Sequence, residues 1–173
     1  NDFIICAITL IDADGEIIHR LEFDERPWSL HLLPSGGIAL GLGRPRGGLL
    51  RLKPDGSHLM DDHLNLGESP ICCGTGQDEI LLGHIDGSIT EINIDGKAES
   101  LPSITKETIE CMVKGESCIL VGTSEGSAIC YRDGSASWSI DLEAEIENIC
   151  YFNGEWAWFS TWSGRDGILS LLD

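Results

Sequence analysis

The chain has 173 residues, of which 42% are hydrophobic, and a formal net charge of −18 at pH 7. This length and apolar fraction suit one folded domain with a sizeable core. No window of 18 or more consecutive apolar residues occurs, so we expect no membrane span. A surface this acidic repels nucleic acid and anionic membranes, and it favours a basic protein or peptide as partner.

The chain contains seven cysteines, an odd number, and no Cys-x-x-Cys pair. The spacing therefore supports neither a zinc ribbon nor a thioredoxin-like motif. Free, mostly buried thiols in a reducing compartment are the simplest account, which predicts a cytoplasmic protein.

Turn glycines recur with a period of roughly 39 residues. Three series show this period: Gly36, Gly76, Gly115 and Gly154; Gly48, Gly87, Gly126 and Gly167; and Gly15, Gly56, Gly96 and Gly134. Every glycine of the third series follows an aspartate. Asp-Gly pairs between apolar runs are typical of hairpin turns, because glycine accepts positive φ without steric cost. Three hairpin turns in each period predict four short antiparallel strands.

Four antiparallel strands in about 40 residues are the size of one β-propeller blade. With the strands named a to d from the inside outwards, the repeat predicts an all-β fold of 17 strands. These comprise a partial blade with strands c and d (3–23), three full blades (28–66, 69–102 and 108–142), and a partial blade with strands a, b and c (147–172). Residues 1–173 would be a single propeller domain or part of a larger propeller.

Two side-chain patterns add expectations about packing. Cys72, Cys111 and Cys150 each lie four residues before a glycine of the first series, as does Leu32. We interpret them as one repeated packing position in strand a. Trp156 and Trp158 flank Ala157, and we expect at least one of the two to pack between blades.

Two segments carry a resemblance to known proteins. Residues 80–89 (ILLGHIDGSI) and 119–128 (ILVGTSEGSA) resemble the b–c hairpins of WD-repeat and quinoprotein-like propellers. No Trp-Asp dipeptide occurs, and the single Gly-His pair, Gly83-His84, lies in strand b. The resemblance thus implies propeller architecture, but it transfers no structural triad, quinone site or metal ligand, and we expect no cofactor.

The strand count leaves closure of the ring open. The two ends offer strands a, b and c plus strands c and d, which is one c strand more than a four-blade ring needs. Either the chain belongs to a propeller of six to eight blades, continued by further blades or by self-association, or it closes alone with one terminal strand displaced. Asp173 lies where the repeat places the next Asp-Gly turn, which favours the first alternative.

Candidate binding residues come from the b–c turns and d–a connections, which a propeller places on one face. Arginine and tryptophan dominate binding energies because they bury large surfaces and keep hydrogen-bond donors available. The predicted interaction residues on this face are Arg44, Arg46, His84, Glu125, Trp162 and Arg165.

No catalytic residues are predicted, and no metal site. Asp61, Asp62 and His63 adjoin in sequence, but neighbours on a strand point to opposite faces. We therefore predict a non-catalytic interaction or scaffold module. A small-ligand-binding or hydrolase- or lyase-type enzyme with a site at the central opening is the alternative, which the mainly apolar inner strands disfavour. A purely structural role, completed by another chain, is the third reading.

Overall fold

The computed structural model describes residues 6–23, 26–42, 48–55, 57, 71–74, 79–93, 95–115, 117–152, 156–162 and 168–171. These residues contain β-strands and no α-helix, so none of them forms a helix that could cross a membrane. The strands in chain order are β1 (Cys6–Ile11), β2 (Ile17–Phe23), β3 (Pro27–Leu32), β4 (Ile38–Leu42), β5 (Gly48–Leu52), β6 (Ile71–Gly74), β7 (Ile80–Gly83), β8 (Ile89–Ile92), β9 (Ala98–Leu101), β10 (Ile109–Lys114), β11 (Ile119–Thr123), β12 (Ser127–Arg132), β13 (Ser135–Asp141), β14 (Ile146–Phe152), β15 (Trp156–Thr161) and β16 (Ile168–Leu171).

Each sheet consists of strands that follow one another in the chain. The five sheets are β1–β2, β3–β5, β6–β9, β10–β13 and β14–β16. Every pair of neighbouring strands is antiparallel, as short hairpin connections require. The predicted all-β fold with four-stranded antiparallel blades is therefore confirmed.

The sheets follow the spacing of the repeat. The two four-stranded sheets lie within the predicted blades 69–102 and 108–142. The sheets of the predicted partial blades begin at Cys6 and Ile146 and end at Phe23 and Leu171, close to the expected ranges 3–23 and 147–172. The sheet in residues 28–66 shows strands a, b and c, and its expected strand d lies outside the described residues. Whether the chain is a whole domain stays a prediction.

The apolar core lies between the sheets. Four clusters of buried side chains each join two sheets that are consecutive in the chain, so the five sheets stack in chain order. Fully burying one such side chain stabilises the fold by about 1.5–3 kcal/mol. Representative partners within the four clusters are Ile8 with Leu40, Ala39 with Leu82, Leu81 with Met112, and Leu120 with Ile149.

A β-bulge recurs at the start of strand a and provides the structural alignment of the blades. Its extra residue is Trp28 in β3, Glu110 in β10 and Glu147 in β14, each followed by a residue opposite Gly41, Gly122 or Ser160 of strand b. A bulge shifts the pairing register by one residue on one strand. Positions counted from the bulge are therefore equivalent in space.

Counted from the bulge, Leu32, Cys111 and Cys150 lie at different positions of strand a. The prediction that they share one repeated packing position is therefore wrong. Cys111 lies opposite Gly122 and is 9% exposed, whereas Leu32 lies opposite Ile38 and is 69% exposed. Cys150 lies opposite Trp158 and is also exposed. The turns between strands a and b differ in length, so a count from the turn glycine reaches different positions.

Of the two tryptophans of β15, the structure describes the side chain of Trp158, so the expectation that at least one of them packs between blades stays a prediction. Ala157 and Phe159 are buried against the preceding sheet, with Phe159 1% exposed. Trp158 points to the other face of β15 and is 52% exposed. The side chain of Trp156 lies outside the described part of the chain.

Candidate functional site

One end of the stacked sheets is formed by the b–c turns and the connections between blades. We call this end the loop face, and it comprises residues 84–88, 102–108, 123–127, 142–145 and Trp162. Its two complete turns contain Gly87 and Gly126, with φ of +77° and +100°. A Cβ on Gly87 would lie 2.5 Å from the Thr105 carbonyl oxygen, and one on Gly126 would lie 2.8 Å from the Ala144 nitrogen. Each turn therefore packs closely against the connection that follows its own sheet.

Hydrogen bonds fasten the turns to the connections. The Ile109 amide donates to the His84 carbonyl (3.2 Å), and the Thr108 hydroxyl donates to the Ile85 carbonyl (3.0 Å). At the next blade the Leu142 amide donates to the Gly126 carbonyl (2.9 Å). Turns and connections thus lie on one face, as predicted, and this face is braced from blade to blade.

A partly buried polar network lies within the loop face. The Thr123 hydroxyl, fully buried, donates to the Glu107 carboxylate and accepts from the Ser127 amide (2.9 Å). The Ser127 hydroxyl donates to the other Glu107 oxygen (3.0 Å). The sequence prediction missed these three residues. Their signal was a Thr and a Ser flanking a b–c turn, with a Glu two residues before strand a of the same blade.

His84 lies in its predicted turn, but the expectation that its side chain is presented on the loop face is corrected. The imidazole is 7% exposed, and its Nε2 lies 2.9 Å from the Thr90 hydroxyl. Burial lowers the pKa of His84, and the nearby Asp86 carboxylate opposes this shift. His84 therefore supports the turn from inside, and the exposed residues at this place are Ile85 and Asp86.

Glu125 and Trp162 are exposed on the loop face, as predicted. The Trp162 side chain is 73% exposed, while its backbone amide donates to the Glu145 carbonyl (2.9 Å). Glu143 and Glu145 are exposed in the same connection. The remaining predicted residues, Arg44, Arg46 and Arg165, lie outside the described residues.

Acidic groups also crowd the start of strand a. Burial raises the pKa of Glu110, and the Glu145 carboxylate raises it further. A positive charge placed between these two groups would favour their ionised forms. Within the described ranges, no group of three or more His, Cys, Asp or Glu side chains could hold a metal ion.

No family model matches the chain, and no curated protein matches it. Several solved structures are similar to it in fold. The computationally designed Ika4 protein is 13% identical, with a TM-score of 0.73 over 87% of this chain and 94% of that chain. BBS1N, solved in complex with ARL6DN, is 15% identical, with a TM-score of 0.73 over 96% of this chain and 54% of that chain.

The Cps50 (Swd1) beta-propeller domain of Myceliophteria thermophila is 11% identical, with a TM-score of 0.73 over 90% of this chain and 56% of that chain. The chain thus spans little more than half the length of this domain and of BBS1N. At these identities the likeness concerns the fold alone. Taken with the stacked antiparallel sheets, it shows that the chain is built of β-propeller blades.

Proposed function

We propose that the chain is a non-catalytic protein-binding module, and that its loop face binds a basic segment of a partner protein. One observation carries the proposal. The Trp162 side chain is 73% exposed, yet its backbone is fixed by the Glu145 carbonyl. A large aromatic side chain on a fixed backbone is typical of a binding hot spot.

The braced loop face lowers the entropic cost of binding. Ordering mobile side chains and loops on association costs free energy that is subtracted from the affinity. Because the turns at Gly87 and Gly126 already pack on the following connections, less ordering is left for a partner to impose. The polar network of Glu107, Thr123 and Ser127 adds to this support.

The charge of the face defines the chemistry of the partner. Asp86, Glu125, Glu143 and Glu145 are exposed carboxylates on the loop face, and the whole chain carries a net charge of −18. Complementary charge speeds association and selects among partners. A lysine- or arginine-rich segment with an apolar side chain for Trp162 satisfies both features.

The structural neighbours support a protein partner in general terms. BBS1N was solved in complex with ARL6DN, so a chain with this fold does hold another protein. Kinship with WD-repeat or quinoprotein-like propellers belongs to the same proposal. So does a cytoplasmic location, which the free thiols of Cys6, Cys111, Cys118, Cys130 and Cys150 support.

A peptide display library tests the proposed face. We expect the chain to enrich basic peptides that contain aromatic or branched apolar residues, with binding that weakens as salt rises. Trp162→Ala should weaken these peptides at least ~10-fold, and Glu125→Lys should weaken them mainly through slower association.

Ile18→Ala is the matched control, because Ile18 is 58% exposed on β2, away from the loop face. It should leave peptide binding unchanged. Enrichment of acidic peptides, or equal loss of binding in the Ile18 and Trp162 variants, would show that the loop face is not the site.

A further inference from the structure

The blade interfaces repeat one pair of positions, and the two ends of the chain each expose one half of that pair. The first position of the pair lies in strand b. It is two residues before the strand-b residue that pairs just after the bulge, which is Gly41, Gly122 or Ser160. Ala39 and Leu120 occupy this position. Leu81 is equivalent, because it lies two residues before Gly83, which packs on Ile109 of the next sheet as Gly122 packs on Ile146. All three side chains are fully buried. Trp158 occupies it in β15 and is 52% exposed.

The second half lies in strand a, two residues after the bulged residue. Met112 and Ile149 occupy this position and are 7% and 8% exposed, because each packs on the preceding sheet. Leu30 occupies it in β3 and is 53% exposed. Trp28 and Leu32, on the same face of β3, are also exposed.

These two positions meet at two junctions between consecutive sheets, β6–β9 with β10–β13 and β10–β13 with β14–β16. Leu81 and Met112 share one apolar cluster, and Leu120 and Ile149 share another. By the same geometry, Trp158 is the natural partner of Leu30. The chain therefore has complementary faces at its two ends.

The β1–β2 sheet shows what the exposed face of β3 lacks. These strands occupy the c and d positions beside the β3–β5 sheet, with Ile8 and Leu21 packed against its buried leucines. Within the described residues, β1 pairs with β2 alone, which leaves one β1 edge without a strand. An apolar cleft of about 170 Å³, lined in part by Leu10, Leu30 and Leu32, lies beside this edge.

We propose that a second copy of this chain fills the cleft, and that its β14 and β15 supply strands a and b of a joint blade. The β1 and β2 strands of the first copy supply strands c and d. The same junction forms at the other end of each chain. Three blades from each copy plus two joint blades make a closed ring of eight, at the upper end of the usual range for propellers.

The curvature of the chain supports a second copy as the occupant. The stacked sheets superpose on BBS1N and on the Cps50 (Swd1) domain, although they cover 54% and 56% of those longer chains. A curved stack of sheets that matches about half of a larger propeller chain leaves room for a second stack of the same size. Head-to-tail contacts between complementary ends form a closed ring when the rotation allows it.

The joint blade has one c position, for which both β1 and β16 qualify. We infer that β1 keeps it, because Ile8 packs with Leu40 and Leu42 in the core. β16, the last described strand, then leaves the edge of β15. The proposal goes beyond the loop face and does not depend on it, since it uses the flat faces at the ends of the arc.

Native mass spectrometry and light scattering on the 173-residue chain test the ring. We expect a species of twice 18.8 kDa. Leu30→Lys and Trp158→Glu should each weaken the dimer at least ~30-fold, since truncated or charged hot-spot residues cost an interface that much. Both side chains are half exposed, so the far-ultraviolet circular dichroism should not change.

Mixing the two variants gives a sharper test. In a mixed pair, Lys replaces Leu30 in one copy and faces the Glu that replaces Trp158 in the other, while the second junction is native. We expect two monomeric variants to form a mixed dimer when combined. Amide exchange in β1 should slow on association, because its free edge gains the β15 strand.

Ile140→Lys is the control, since Ile140 is 43% exposed on the outer strand β13. It should leave the dimer intact. A wild-type monomer at every concentration, whether or not its own ends close, would overturn the proposal. So would open-ended polymers, or a dimer that survives both end substitutions.

Discussion

The middle of the sheet stack and its two ends are built from the same positions, yet they differ in burial. Leu81 and Met112 are buried in one apolar cluster between the β6–β9 and β10–β13 sheets. Trp158 and Leu30, at equivalent positions, are 52% and 53% exposed. The repeat thus encodes faces that fit a neighbouring blade, and the presence of that neighbour determines which apolar residues form a core.

Substitutions at equivalent positions should separate the two regions most clearly. Leu81→Ala removes a fully buried side chain and should lower the free energy of unfolding by about 2–5 kcal/mol. Leu30→Ala, in the Trp158→Glu background so that association does not contribute, should cost under about 1 kcal/mol. Urea denaturation measures both, and equal losses would contradict the equivalence.

Two glycines of the β10–β13 sheet, both with positive φ, compare a turn that contacts a neighbouring connection with a turn that does not. Gly126 has φ of +100° and packs on the next connection, whereas Gly134 has φ of +82° and nothing within 4 Å of an added Cβ. Gly134→Ala should cost about 1 kcal/mol, from backbone strain alone. Gly126→Ala adds a clash with Ala144 and should cost roughly 2–4 kcal/mol.

Thermal melting of both glycine variants is the measurement. Similar losses would show that the turn at Gly126 does not need its close approach to the connection. Gly126→Ala should also weaken peptide binding at the loop face, because the displaced turn carries Glu125. Gly134→Ala should leave that binding unchanged.

The period and the turn glycines were sufficient to predict the fold. Tight hairpin turns favour glycine because it accepts positive φ, so regularly spaced glycines mark these turns in the sequence. The register within a blade was not visible. Cys111 and Cys150 share a count from the turn glycine, but turns of different length place them at different depths. The recurrent bulge aligns the blades, and no residue type marks it, since Trp28, Glu110 and Glu147 occupy it.

The candidate site was predicted in part for a similar reason. Local sequence indicates which residues lie in a turn, and it placed Glu125 and Trp162 on an exposed face. Whether a side chain points outwards depends on the neighbouring strands. His84 is buried against Thr90, and Trp158 is exposed because the described residues place no blade over it.

The polar network of Glu107, Thr123 and Ser127 should have a smaller effect on stability than the clash at Gly126 or the loss of a core side chain. Thr123→Val keeps the shape of a fully buried side chain but removes the hydroxyl shared by Glu107 and Ser127. We expect a loss of about 1–3 kcal/mol, the cost of leaving buried polar groups unsatisfied. A double-mutant cycle with Glu107→Gln should show coupling, and strictly additive losses would place the two side chains in separate roles.

The smallest expected effect concerns Glu110, the bulged residue of β10. Burial and the Glu145 carboxylate raise its pKa, so the folded state binds this proton more tightly than the unfolded state. Stability from Glu110 should therefore be greatest at pH values below its unfolded pKa and should fall as pH rises through the folded pKa. Glu110→Gln removes this dependence and should stabilise the chain at neutral pH by less than about 1 kcal/mol, since the group is partly exposed and solvent screens it. Urea unfolding of both proteins at pH 4 and pH 7 measures the difference. A variant that is less stable than the wild type at pH 7 would show that the ionised carboxylate is satisfied, and that the start of strand a tolerates its charge.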